Sequence, residues 1–154
     1  MSETHVRAIA AMAAATVALT VVAAASGGTP AAPVVIRLYE KPLTEHFNDV
    51  GAKGLSAGDT DISTYALYKS PHAAKATGHS EAACTLIGPH AASCLTTIYL
   101  PNGKIIAGGA FHFRGNGHSE RIAVLGGTGR YSGARGQITL LVRKQDIDVI
   151  QLLP

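Results

Sequence analysis

The side chains able to do chemistry in this chain are few, and their spacing narrows what they can do. Cys84 and Cys94 are its two cysteines. They form no Cys-x-x-Cys unit, so neither a zinc ribbon nor a thioredoxin-type redox motif is indicated. Gly88-Pro89-His90 lies midway between them and reads as a hairpin turn. Cysteines equidistant from such a turn face each other on adjacent strands, with Cβ atoms about 4.5–5.5 Å apart, close enough to bond. The seven histidines (His5, His46, His72, His79, His90, His112, His118) include no H-x-H or H-E-x-x-H pair. Surface and loop positions are expected for them, and no metal site. Tyr65, Tyr99, Phe111 and Phe113 occupy strand-like stretches, where aromatic side chains either fill a core or stack around an apolar ligand. Arg130 and Arg135 are interleaved with Gly126, Gly127, Gly129, Gly133 and Gly136. Such an arginine either bonds the carbonyls of a turn or holds a phenolic or carboxylate oxygen bidentately. There is no Ser-His-Asp arrangement and no Walker loop. Gly127-Thr128-Gly129 lacks the following helix that a phosphate cradle requires.

The elements that must position these groups are strands. Residues 34–40 (V-V-I-R-L-Y-E) are β-branched and aromatic, and Pro42 is expected to end this first strand. Residues 41–58 carry Gly51, Gly54 and Gly58 and read as a long loop with one helical turn near residues 44–50. Strand-like runs follow at 59–69, 78–87, 94–100, 104–113, 120–125, 137–143 and 147–153, separated by proline, glycine and asparagine turns such as Pro101-Asn102-Gly103. Gly108-Gly109 inside one run marks a bend or bulge. About eight short strands at this spacing predict an all-β fold, and eight antiparallel strands close into a barrel able to hold one small ligand.

The N-terminus is read separately. Polar residues 1–7, an apolar run over 8–25 and Ala23-Ala24-Ala25 have the form of a secretory signal peptide. An uncleaved membrane anchor is the alternative, since 18 apolar residues are at the lower limit for a span. The domain layout is therefore a signal peptide over 1–25, a flexible linker over 26–33 and the barrel over 34–154, in a protein secreted after cleavage. An exported chain with an even cysteine count favours a disulfide. The net charge of +3 arises from scattered bases, which argues against nucleic acid as a partner.

Residues 122–140, I-A-V-L-G-G-T-G-R-Y-S-G-A-R-G-Q-I-T-L, resemble the G-G-[ST]-G-x-[FY]-x-x-A-x-G segment shared by plant allene oxide cyclases and dirigent proteins. Leu38-Tyr39-Glu40 is similar to the cyclase V-Y-E, and residues 78–87 look like its segment ending G-x-C-V-x-I. Ile98-Tyr99-Leu100 and residues 108–113 fall in the same order, so the likeness spans about residues 36–143. The resemblance implies an eight-stranded antiparallel β-barrel, a homotrimer, no metal or organic cofactor, and an apolar or phenolic small molecule as partner. It places Glu40 where the cyclase glutamate stabilises developing positive charge, and Cys84 where a cysteine lines the pocket. The cyclase asparagine two residues after the glutamate is Pro42 here, which argues against the allene oxide reaction itself. Dirigent proteins often carry the A-R-G found at Ala134-Arg135-Gly136.

The resulting expectation is an exported barrel that steers cyclisation or coupling of such a compound, as an isomerase-like protein. Glu40 and Arg135 are the candidate catalytic groups. Tyr65, Cys84, Tyr99, Phe111 and Phe113 are the candidate ligand contacts, with Cys84 and Cys94 joined in a disulfide that removes Cys84 as a thiol. The alternatives are a non-catalytic carrier, or a structural protein whose barrel is filled.

Overall fold

A computed structural model describes residues 32–114 and 117–154. The expected signal peptide and all but the last two residues of the linker lie outside the described residues. The chain forms a closed barrel in which every strand pairs antiparallel with the next and β1 closes onto β8. The strands are β1 (Val34–Asn48), β2 (Thr60–Tyr68), β3 (Gly78–Gly88), β4 (Ala91–Leu100), β5 (Gly103–His112), β6 (Ser119–Gly127), β7 (Gly136–Leu141) and β8 (Ile147–Leu152). The expected strands are all present. Closure leaves no unpaired sheet edge at either end of the strand order.

Period-2 alternation decides what enters the barrel. Along β8 it turns Asp148, Ile150 and Leu152 inward. Leu38, Leu67, Ile98, Ile105, Ile138 and Ile150 meet from six strands and fill one end of the interior. The glycine-rich segment closes that same end. Its single 3₁₀ turn, Gly129–Tyr131, rests on the β4–β5 hairpin, with the Thr128 amide donating to the Lys104 carbonyl at 2.9 Å and the Arg130 amide to the Asn102 carbonyl at 2.8 Å. A Cβ at Gly127 would lie 2.6 Å from the Lys104 carbonyl oxygen, and Gly129 adopts φ +61°, so both positions need glycine. Tyr131 packs against the core from this turn.

The first strand departs from expectation. It continues through Pro42 to Asn48, where a loop and a helical turn were expected. A register shift between Pro42 and Thr44 absorbs the missing proline N–H, and Thr44 to Asn48 then pair with Thr64 to Thr60. Every residue from Lys41 to Asn48 is exposed, and K-P-L-T-E-H-F-N shows no apolar–polar alternation to signal a strand there. The Gly108-Gly109 pair marks a different irregularity from a simple bulge. The β5–β6 ladder ends at Gly108↔Ala123, while residues 109–112 still pair with β4 and residues 119–122 with β7. The wall is thereby split between β5 and β6 at the end opposite the glycine turn.

Cys84 and Cys94 are direct partners in the β3–β4 register and are joined by a disulfide. It closes a loop with a sequence separation of 10. By loop-closure entropy, replacing both cysteines with serine lowers stability by roughly 2–3 kcal/mol, read as a lower urea midpoint with a slope that does not fall, since the unlinked denatured chain is less compact.

Candidate functional site

The interior above the apolar plug is open. It encloses a cavity of ≈ 550 Å³, within the range of small-molecule sites. The walls are mostly apolar, with Phe47, Phe111 and Phe113 toward the open end and Ile98 and Ile138 toward the plug. The loop between β1 and β2 adds Leu55 to the lining. That loop is fastened by the fully buried Asp59. The Asp59 carboxylate accepts hydrogen bonds from the amides of Val50 (2.9 Å), Gly51 (3.2 Å) and Ser56 (2.7 Å), and from the Ser56 hydroxyl (3.2 Å). The Val50 amide foremost, with those of Ser56 and Gly51, holds the Asp59 carboxyl below the usual carboxylate range despite its burial.

Two carboxyl groups meet in this cavity. Ile36, Leu38 and Glu40 share the inward face of β1, and Asp148 sits opposite Leu38 on β8. Glu40 and Asp148 are thus diagonal neighbours inside the barrel, and their side chains hydrogen-bond to each other. Ser80 on β3 also bonds Glu40. The backbone is fixed at the same place by the Glu40 amide, which donates to the Asp146 carbonyl at 2.9 Å. Burial, and then the Asp148 charge, push Glu40 up to about 9. Burial also raises Asp148, to about 6, against the opposing effect of its hydrogen bond with Glu40. Like charges this close cannot both ionise, so the pair shares one proton at neutral pH.

A polar row continues along β2. The Ser63 hydroxyl donates to Asp61 Oδ2 at 3.2 Å, and Tyr65 follows on the same face. Burial raises the Tyr65 phenol, the Ser63 hydrogen bond opposes this, and the Glu40 carboxyl adds to it. At the split in the wall, Glu120 of β6 faces His112 of β5 (3.5 Å), Arg114 (4.0 Å) and His118 (3.9 Å). Side-chain pairs thus bridge the gap left by the ladder, and Phe111 packs edge-on to His118.

Of the residues singled out from the sequence, Glu40, Tyr65, Cys84, Phe111 and Phe113 converge on this cavity, with the disulfide partner Cys94. Tyr99 does not. Ile98 takes the inward position on β4, so alternation sends Tyr99 outside. There it stacks on His79 with ring centroids 4.3 Å apart, and its hydroxyl donates to Glu81 at 2.8 Å. Arg135 is exposed at the plugged end, beyond β6, where it donates to the Pro154 carbonyl at 2.6 Å. No part of it lines the cavity. Asp148, Asp61, Ser63 and Ser80 escaped the sequence reading. Asp148 carried no decisive signal, since I-D-V-I-Q-L has two apolar residues and one polar residue on each face.

No protein-family model and no curated protein matches the chain. Solved structures do. A pyocyanin demethylase is 25% identical, with a TM-score of 0.66 over 77% of this chain and 99% of that one. An exo-specific intermolecular Diels-Alderase, AbnU, is 20% identical with a TM-score of 0.59, over 81% and 98% of the two chains. A pterocarpan synthase dirigent protein is 14% identical with a TM-score of 0.58, over 82% and 94%. The chain shares its barrel fold with these Diels-Alderase and dirigent structures. In this barrel the plugged end carries the glycine segment, and the open end carries the cavity.

The raised Glu40 has a consequence for stability. The folded chain keeps this proton between 4.5 and about 9, where the unfolded chain releases it, so stability falls as pH rises through that window. Glu40→Gln removes the penalty. Its stabilisation reaches about 1–3 kcal/mol at pH 8 and is smaller at pH 5, measured by thermal unfolding at the two pH values.

Proposed function

We propose that this barrel binds a small apolar or phenolic molecule and promotes its cyclisation or coupling by proton transfer and charge stabilisation. The observation that carries this reading is the Glu40–Asp148 pair facing into an otherwise largely apolar cavity. Glu40, neutral at pH 7, is placed to donate a proton to a carbonyl or leaving oxygen. Asp148, ionised beside it, stabilises positive charge as it develops, and the low-dielectric walls strengthen that interaction. The apolar walls hold the substrate in a reactive fold and keep water out. Similarity to a demethylase of pyocyanin and to Diels-Alderases supports a converted rather than merely carried ligand. A barrel filled throughout does not fit a cavity of ≈ 550 Å³.

Export is part of the proposal. The Cys84–Cys94 disulfide supports it, because such bonds persist in oxidising compartments. So is self-association as a trimer. Ile62, Leu95 and Leu125 are more than half exposed on the outer wall, and Leu95 and Leu125 flank Gly108 within 3.5 Å of where its Cβ would lie. An apolar band of this kind fits burial against further copies.

Protein purified from its own producer and examined by native mass spectrometry is expected to be a trimer with a retained small molecule. Extracted ligand from the wild type is expected to be product, and from Glu40→Gln unconverted substrate, with turnover reduced about 10²–10⁴-fold. The same compound from both would leave a carrier. Turnover rises through about 6 as Asp148 ionises and falls through about 9 as Glu40 loses its proton, so a pH–rate profile peaks between them.

A further inference from the structure

The cavity is charged in one sense. Glu40, Glu45, Asp61, Glu120, Asp146 and Asp148 all line it, and among the described residues no lysine or arginine does. Arg114 reaches the lining Glu120 from outside at 4.0 Å, and Lys41, Arg143 and Lys144 border a second recess shared with Glu40, Glu45 and Asp146. Three of the inner carboxylates are accounted for within the chain. Glu120 faces Arg114 and two histidines, and Glu40 and Asp148 share a proton. The Glu40–Asp148 pair still carries one negative charge at neutral pH. Asp61 is different. Its Oδ2 accepts from Ser63, while its buried Oδ1 has no hydrogen-bond donor among the described residues. Asp61 lines the cavity without an ion-pair partner among the described residues, so a positively charged ligand there balances its charge. Phe47, the direct partner of Asp61 across the β1–β2 ladder, lines the same cavity with Tyr65, Phe111 and Phe113. Aromatic faces around an acidic group suit a flat cation, which gains from the ring quadrupoles as well as from the carboxylates.

Resting on the reading of the cavity as a small-molecule site, we infer that its ligand is a flat aromatic cation, with a protonated or quaternised ring nitrogen directed at Asp61 and the Glu40–Asp148 pair. The volume of ≈ 550 Å³ admits a fused-ring molecule of this kind. The carboxylates select for charge, and the aromatic walls select for the ring system. An anion of the same shape is rejected, because nothing in the lining offsets its charge.

Fluorescence titration at pH 8 with three tricyclic probes tests this: N-methylacridinium (cation), acridine (neutral) and anthracene-9-carboxylate (anion). The cation is expected to bind about ten-fold or more tightly than acridine, and the anion more weakly than either. Asp61→Asn is expected to erase most of the cation's advantage and leave acridine binding unchanged. Asp148→Asn gives a second readout of the same preference if the first variant does not fold. Equal binding of cation and neutral probe, preference for the anion, or an unchanged ratio in both variants overturns the charge preference while leaving a ligand cavity standing. Binding of none of the three overturns the charge preference and the small-molecule reading together.

Discussion

A closed barrel gives each strand one inward face, and whatever occupies that face must be paired or pay the full cost of losing water. Glu40 and Asp148 show how this chain meets that constraint. Both occupy inward positions, and neither has a basic partner in the cavity lining. They meet the constraint by sharing a proton and by hydrogen bonding with each other and with Ser80. This arrangement keeps one acid neutral and one ionised at the same spot, the separation of roles that acid–base chemistry near neutral pH requires. The rest of the structure serves to hold β1 and β8 side by side so that this pairing exists.

The interior is divided along its length by how large the inward side chains are. Leucine and isoleucine from six strands fill one end, and the glycine turn with Tyr131 seals it. Toward the other end the inward positions carry carboxyls, hydroxyls and small residues such as Ala82, with aromatic rings at the rim. Rigidity at the plugged end lets the open end bear groups that cost stability. The Asp59 clasp on the β1–β2 loop and the Cys84–Cys94 bond across β3 and β4 brace the rim where the β5–β6 ladder is missing.

The wall between β5 and β6 is closed at the rim by charge and ring contacts instead of a backbone ladder. Glu120 draws His112, Arg114 and His118 around it, and Phe111 packs against His118. Gly108 and Gly109 sit where the ladder stops. The break turns a continuous sheet into one with a side-chain-bridged seam next to the cavity, and it places Phe111 and Phe113 at the lining.

The sequence by itself determined the strands and most turns, because β-branched runs and glycine–proline punctuation act locally. It also determined the Cys84–Cys94 pairing, since a hairpin centred near residue 89 fixes its own register. It pointed to Glu40 through the family resemblance and to three aromatic lining residues through strand pattern. What it left undecided was set by contacts between distant segments. The extension of β1 past Pro42 depends on pairing with β2, since K-P-L-T-E-H-F-N over residues 41–48 shows no apolar–polar alternation although Glu45 and Phe47 turn to the cavity. Tyr99 and Arg135 were sorted out of the cavity by strand parity and by the barrel end on which the glycine turn lies. Above all, only closure of β1 onto β8 brings Asp148 to Glu40. That contact joins the two ends of the domain, and no local signal in either strand can specify its partner.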